Sequence, residues 1–157
     1  MNIFLLTHSR EIVKKNNTGA LVATVLGDKA KVITWERKHP DVDLLAHIQD
    51  ENVALLYPSE NSIAITSDTK VEYENYIVID GTWQEARKIY NKSPYLHTLP
   101  TITITATEPS AYMLRRNQKV NGLCTVECVI ELCKWQGHVY FSDELQLIFN
   151  KFLAKNM

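Results

Sequence analysis

The stretch Ile77-Val78-Ile79-Asp80-Gly81-Thr82-Trp83-Gln84-Glu85-Ala86-Arg87 decides how this chain is read. A short apolar strand breaks off at a carboxylate and a helix begins at once. In open α/β sheets ligands bind in the crevice beyond the carboxyl ends of the strands, and Asp80 is the first polar residue past such an end. Gly81 permits close backbone approach. Thr82, with Glu85 three residues on, has the form of a capping box, in which each side chain satisfies the other residue's backbone N–H at the start of a helix. The same residues admit a structural reading: Thr82 as an N-cap, Trp83 as a first-turn core residue, Asp80 as a carboxylate satisfied by helix amides. The rest of the chain separates the two readings.

Working outward, Asn2 to Leu6, Lys31 to Trp35, Val53 to Leu56, Tyr76 to Ile79 and Thr101 to Thr105 read as strands. Between them, Thr18 or Gly19 to Leu26 reads as a short helix closed by Gly27, and Asp41 to Gln49 carries apolar residues at helical spacing. Asn61 to Asp68 is irregular or a short edge. Trp83 to Asn91, Leu123 to Trp135 and Asp143 to Ala154 complete the helices, with Gly122 and Gly137 as breaks. Strands alternating with helices predict an α/β domain, a mostly parallel sheet with helices on both faces. Thr7, His8 and Ser9 follow the first strand, Tyr57, Pro58, Ser59 and Glu60 the third, Asp80 the fourth, and Thr105 ends the fifth. A parallel arrangement gathers these polar residues along one rim.

At 157 residues the chain fits one domain. Its 45% hydrophobic and 22% charged residues, with five Gly and five Pro, exclude a disordered or low-complexity polymer. Ile3 to Leu6 is too short for a signal or membrane segment, so the expected setting is cytoplasmic, with no membrane contact. Cys124, Cys128 and Cys133 fall on one predicted helix; an odd count in that setting argues against a disulfide, and no paired histidines supply a metal set, so small buried residues and no metal are expected. The net charge of −1 gives no global attraction to nucleic acid. Three local basic groups do exist: Lys14 with Lys15, Arg87 with Lys88 and Lys92, and Arg115 and Arg116 with Lys119. Such patches suffice for a phosphate backbone, although each also fits a solvated helix face. Dinucleotide, P-loop, hydrolase-elbow and zincin motifs are missing from the sequence.

Four ordered blocks carry a resemblance. They are His8-Ser9-Arg10-Glu11 with Asn16-Asn17-Thr18-Gly19; Leu55-Leu56-Tyr57-Pro58-Ser59-Glu60; Asp80-Gly81-Thr82-Trp83 with Ala86; and Leu114-Arg115 followed by Gly122-Leu123-Cys124-Thr125-Val126-Glu127. In that order the chain resembles the DTW-domain proteins, which are tRNA-uridine aminocarboxypropyltransferases. Two departures stand out. Relatives usually carry a cysteine-rich segment before the first strand, so the expected unit is a single DTW domain over 1–157 lacking it. Where relatives tend to have Ser-Thr, this chain has the near-isosteric Cys124-Thr125.

The resemblance implies a SPOUT-like fold with a C-terminal trefoil knot, S-adenosylmethionine as group donor, and tRNA as partner, the protein being a monomer or homodimer. It implies transfer of the 3-amino-3-carboxypropyl group to N3 of a uridine in the variable loop, with release of methylthioadenosine. Asp80 is assigned as general base or as electrostatic orienter of the donor's cationic groups, since an ordinary Asp is a poor base for so weak an acid. Trp83 is assigned to stacking on a base, and Arg115 to the transferred carboxylate or an RNA phosphate. Thr18, Ser59, Thr82, Leu99, Leu123, Cys124, Thr125 and Glu127 are expected around the donor together with Asp80. Lys14, Lys15, Arg87, Lys88, Arg116 and Lys119 are expected on the RNA. His8 and Glu11 are read as a structural pair supporting the rim. The competing readings are a SPOUT-class RNA methyltransferase using the same donor, and a non-catalytic RNA- or donor-binding module.

Overall fold

A computed structural model describes residues 1–50, 52–66, 68–69, 73–104 and 123–156. The strands are β1 Asn2–Thr7, β2 Ala30–Thr34, β3 Val53–Leu56, β4 Ile63–Ile65, β5 Asn75–Asp80 and β6 Thr101–Ile104. The helices are α1 Ser9–Ile12, α2 Gly19–Leu26, α3 Val42–Gln49, α4 Trp83–Asn91, α5 Thr125–Trp135 and α6 Val139–Asn156. All strand pairs are parallel, in the order β2-β1-β5-β3-β6-β4, so the domain is an α/β fold on a six-stranded sheet.

Parallel strands covered on both faces read as continuous apolar runs, and β3 and β5 are buried at every position. Alternation then divides the runs between two cores. Ile3, Leu5, Tyr76 and Val78 pack with Val22, Leu26, Val129, Leu132, Leu145 and Phe149, which places α2, α5 and α6 on one face. Phe4, Leu6, Ile77 and Ile79 pack with Leu44, Ala86 and Ile89, which places α3 and α4 on the other. Each fully buried side chain of this size contributes roughly 1.5 to 3 kcal/mol. The two-residue period also fixes direction: Tyr76, Val78 and Asp80 share a face, so Asp80 points toward α2 and α5 and away from α4.

The ends of the elements follow local chemistry. Asp41 caps α3 by accepting from Leu44 N–H at 2.9 Å. Gly27 closes α2 at φ +59°, a conformation that disfavours any residue with a Cβ. The capping box of α4 is formed: Thr82 Oγ1 accepts from Glu85 N–H at 3.2 Å and Thr82 N–H donates to Glu85 Oε1 at 2.9 Å. The expected helix from Leu123 begins at Thr125, because Cys124 is its cap, and the last helix begins at Val139, a turn before the expected Asp143. Between Asn61 and Asp68 lies the short edge strand β4. The four-residue α1 is too short to leave a periodic signature. Thr105 and Gly122, and with them the segment that bears on the expected knot, lie outside the described residues.

Order in the sheet defines the rim. From β1 the chain moves outward to β2 by way of α2, whereas from β5 it moves the opposite way to β6 by way of α4. Adjacent strands whose connections diverge open a crevice between them at their carboxyl ends. Thr7 pairs with Asp80 across that point, and His8 N–H donates to Asp80 C=O at 3.1 Å.

Candidate functional site

Asp80 is 1% exposed at the end of the central strand. Its Oδ2 accepts from Asn17 Nδ2 at 2.9 Å and its Oδ1 accepts from Thr125 Oγ1 at 2.7 Å. One carboxylate thus ties the start of α2 to the start of α5. Asn17 is oriented by two further bonds, donating to Glu11 C=O at 3.1 Å and accepting from Ala20 N–H at 3.1 Å. Thr18 Oγ1 accepts from Val126 N–H at 3.2 Å, joining the same two helices a second time. Glu127 Oε1 accepts from Cys124 N–H at 3.1 Å and holds the α5 cap. Gly19 must be glycine for steric reasons: a Cβ there would run into Asp80 Oδ2 and lie 3.0 Å from Asn17 Oδ1.

Thr18, Asp80, Cys124, Thr125 and Glu127 therefore form one constellation on the α2/α5 face, with buried Leu123 in the core beside it. Trp83 and Leu99 stand on the opposite face, packed against the core under α3 and α4. Trp83 stacks on Tyr57 with centroids 5.8 Å apart, and Tyr57 on Tyr90 at 4.1 Å, a ladder of rings next to the α4 start. Ser59 lies apart again, its hydroxyl bonded to Thr101 Oγ1 at 2.7 Å and to Ser62 Oγ at 3.1 Å. Thr82 spends its hydroxyl on the capping box. Lys14, Lys15, Arg87 and Lys88 are exposed. Arg115, Arg116 and Lys119 lie outside the described residues. The partners that sequence reasoning did not single out as a site are Asn17 and Gly19; the signal available was an Asn-Thr-Gly run before an apolar helix.

His8 Nδ1 accepts from Arg10 N–H at 3.2 Å and lies 3.6 Å from Glu85 Oε2, while buried Glu11 is held by Lys14 Nζ at 3.2 Å. Burial acts to raise Glu85, but the Thr82 N–H, the Glu11 carboxyl and the charges of His8 and Lys14 together leave it below its ordinary range. Burial lowers His8 beneath its usual 6.5; Glu85 opposes this, while Lys88, Arg10 and Lys14 add to it. A depressed imidazole lets the unfolded chain take the proton first, so its penalty is absent above about 6.5 and grows as pH falls through that value. Replacing His8 with Gln is expected to flatten the fall in melting temperature between about pH 7 and about pH 5.5. An unchanged pH profile would show that burial does not perturb this ring.

The cysteines are free and buried. Burial raises the Cys124 thiol, helped by the neighbouring Glu127 charge, and pushes Cys133 up to about 12. Thiols held so far from the thiolate form are poor nucleophiles. Titration with a thiol reagent near pH 8 is expected to find all three slow in the folded protein and prompt in urea. A fast-reacting thiol in the folded state would overturn that.

Among the described residues no three His, Cys, Asp or Glu side chains are grouped to hold a metal ion, and no helix is long and apolar enough to cross a membrane. A groove between α2 and α6, lined by Thr24, Val25, Tyr140, Glu144, Leu147, Ile148 and Lys151, contains none of the residues above.

An open parallel sheet with a buried carboxylate at its switch point, between β1 and β5, defines this as an α/β protein. The chain belongs to the DTW domain family, whose match runs over residues 1–157. It is 28% identical over 130 residues to tRNA-uridine aminocarboxypropyltransferase 2 of Drosophila melanogaster, covering 80% of this chain and 52% of that protein. It is 26% identical over 133 residues to the Mus musculus protein of the same name, covering 81% and 45%. The chain thus spans about half the length of these curated relatives. No solved structure gives a significant match.

Proposed function

We propose that this protein is a tRNA-uridine aminocarboxypropyltransferase, moving the 3-amino-3-carboxypropyl group of S-adenosylmethionine to N3 of a uridine, in the variable loop, within the cytoplasm. The observation that carries the reading is convergence: three motif blocks far apart in sequence meet on one buried carboxylate, through Asn17, Asp80 and Thr125. The chemistry of the set fits the donor. A buried negative charge beside hydroxyls suits a sulfonium and an ammonium group, and such charges act strongly where water is excluded. Thr18, Cys124, Thr125 and Glu127 would hold the donor near Asp80, with Leu123 bordering it and Arg115 meeting the transferred carboxylate, whereas Ser59, Thr82 and Leu99 stand away from that face.

The sulfonium supplies its own leaving group, methylthioadenosine. What the protein must provide is removal of the N3 proton, aim at the γ-methylene, and exclusion of water. Both Asp80 oxygens already accept hydrogen bonds, which supports the orienting role over that of free base. Trp83, stacked on Tyr57, offers a ring platform on the other side of the sheet, suited to a nucleobase.

Mass spectrometry after incubating the protein with S-adenosylmethionine and unmodified tRNA tests the reading. Aminocarboxypropyl-uridine with methylthioadenosine is the expected result. A methylated nucleoside with S-adenosylhomocysteine would make it a methyltransferase, and donor binding without any product would make it a binding module.

A further inference from the structure

We propose that the turn between β2 and α3, with Arg37 and Lys38 at its tip, is a phosphate-binding finger for the RNA substrate; this rests on the tRNA reading above. The turn is built rather than loose. Trp35, the residue after β2, continues the ladder by donating its N–H to Thr7 C=O at 2.8 Å. Its indole Nε1–H donates to the fully buried Ser93 Oγ at 2.8 Å, and its ring stacks on His8 with centroids 6.2 Å apart. Past this anchor, His39 N–H bonds Glu36 C=O at 3.3 Å, closing a turn whose two central residues are Arg37 and Lys38, both exposed.

Position gives the turn its meaning. β2 runs parallel to β1, so its carboxyl end lies on the same rim as His8 and Asp80. Arg10, Lys14 and Lys88 lie close enough to His8 to act on its charge. Arg37 and Lys38, exposed just past the Trp35 ring that stacks on His8, bring to five the exposed cations contributed to this rim by three separate segments. Glu11 is engaged by Lys14 and Glu85 by Thr82 N–H, Asp41 faces Lys31 at 3.6 Å, and Glu36 is the one acid of the turn itself. A chain of net charge −1 has no overall pull on a polyanion, so attraction must come from such a local group. Arg adds a planar fork matched to phosphate oxygens. A pinned turn presents these charges at less ordering cost than a free loop.

The experiment is fluorescence anisotropy of unmodified tRNA with the protein over a salt series, for the wild type and an Arg37→Ala/Lys38→Ala variant. At about 0.1 M salt the variant is expected to bind about tenfold more weakly, with a log–log salt slope shallower by about two, the signature of two lost phosphate contacts. Its S-adenosylmethionine affinity and melting temperature stay unchanged, and Lys151→Ala/Lys155→Ala on α6 leaves tRNA affinity intact. Wild-type affinity and slope in the turn variant overturn the finger while leaving the transferase reading standing. An equal loss in the α6 control overturns it as well, by making the attraction nonlocal. A wild type that binds no tRNA overturns the reading on which it rests.

Discussion

Asp80→Asn is expected to yield a folded protein whose transfer rate is reduced by about a hundredfold or more. The substitution keeps shape and removes charge. Asn17 is locked by its bonds to Glu11 C=O and Ala20 N–H, so its Nδ2 continues to face residue 80. The carboxamide introduced at that position must therefore turn its oxygen toward Asn17 and its NH2 toward Thr125, whose hydroxyl accepts as readily as it donates. The network survives and stability changes little. What is lost is the buried negative charge, and removing one preorganised electrostatic group from an active site costs about 2.7 to 4 kcal/mol of transition-state stabilisation. Asp80→Ala behaves differently, because it leaves the Thr125 hydroxyl and half of the Asn17 amide without acceptors, at about 1 to 3 kcal/mol for each buried group, and melting temperature falls along with activity. Single-turnover transfer assays paired with thermal melts separate the two effects. Near-normal turnover in a well-folded Asp80→Asn protein would remove the charge from the mechanism.

Gly19→Ala is expected to impair transfer at least about tenfold, although residue 19 has no side chain to offer any ligand. At the first position of a helix, alanine would ordinarily stabilise, by up to about 1 kcal/mol relative to glycine. Here the added methyl collides with Asp80 Oδ2 and crowds Asn17 Oδ1, both of them fixed by hydrogen bonds. Overpacking of this kind costs about 1 to 3 kcal/mol, so the unfavourable term wins and the carboxylate is displaced from Asn17. The measurements are a melting curve, expected to shift downward, and donor affinity, expected to weaken. A variant with raised melting temperature and unaltered donor binding would show that α2 shifts freely and that Gly19 sets no geometry.

Much of the fold was legible because the determining interactions are local. Val53–Leu56 and Trp83–Asn91 have the limits that apolar runs and a capping box imply, and the parallel sheet follows from alternation of strands and helices. Asp80 was legible as a strand end. Its partners were not, since Asn17 lies 63 residues before it and Thr125 lies 45 after, separations at which no local pattern carries information. The sidedness of the rim was hidden for the same reason. Asp80 and Trp83 are close neighbours in sequence, yet the strand's period directs one toward α5 while the helix start turns the other toward Tyr57. His8 likewise meets Glu85, 77 residues on in the chain, which arrives from α4.

The position of β5 carries a consequence for how the chain comes to be folded. β1 and β3 do not touch; each pairs with β5, which lies between them and is translated after both. On a ribosome the chain up to Leu56 therefore holds three strands of one sheet, with an empty slot between the β2–β1 pair and β3, and closure waits until Asn75–Asp80 has emerged. Pairings of such sequence separation are slow to form, because the entropy of loop closure is lost before contacts reward it. The strand that completes the sheet is also the one that ends in Asp80, so a nascent chain that stalls before it displays unsatisfied strand edges, and the same zipping event that hides them delivers the carboxylate to its place.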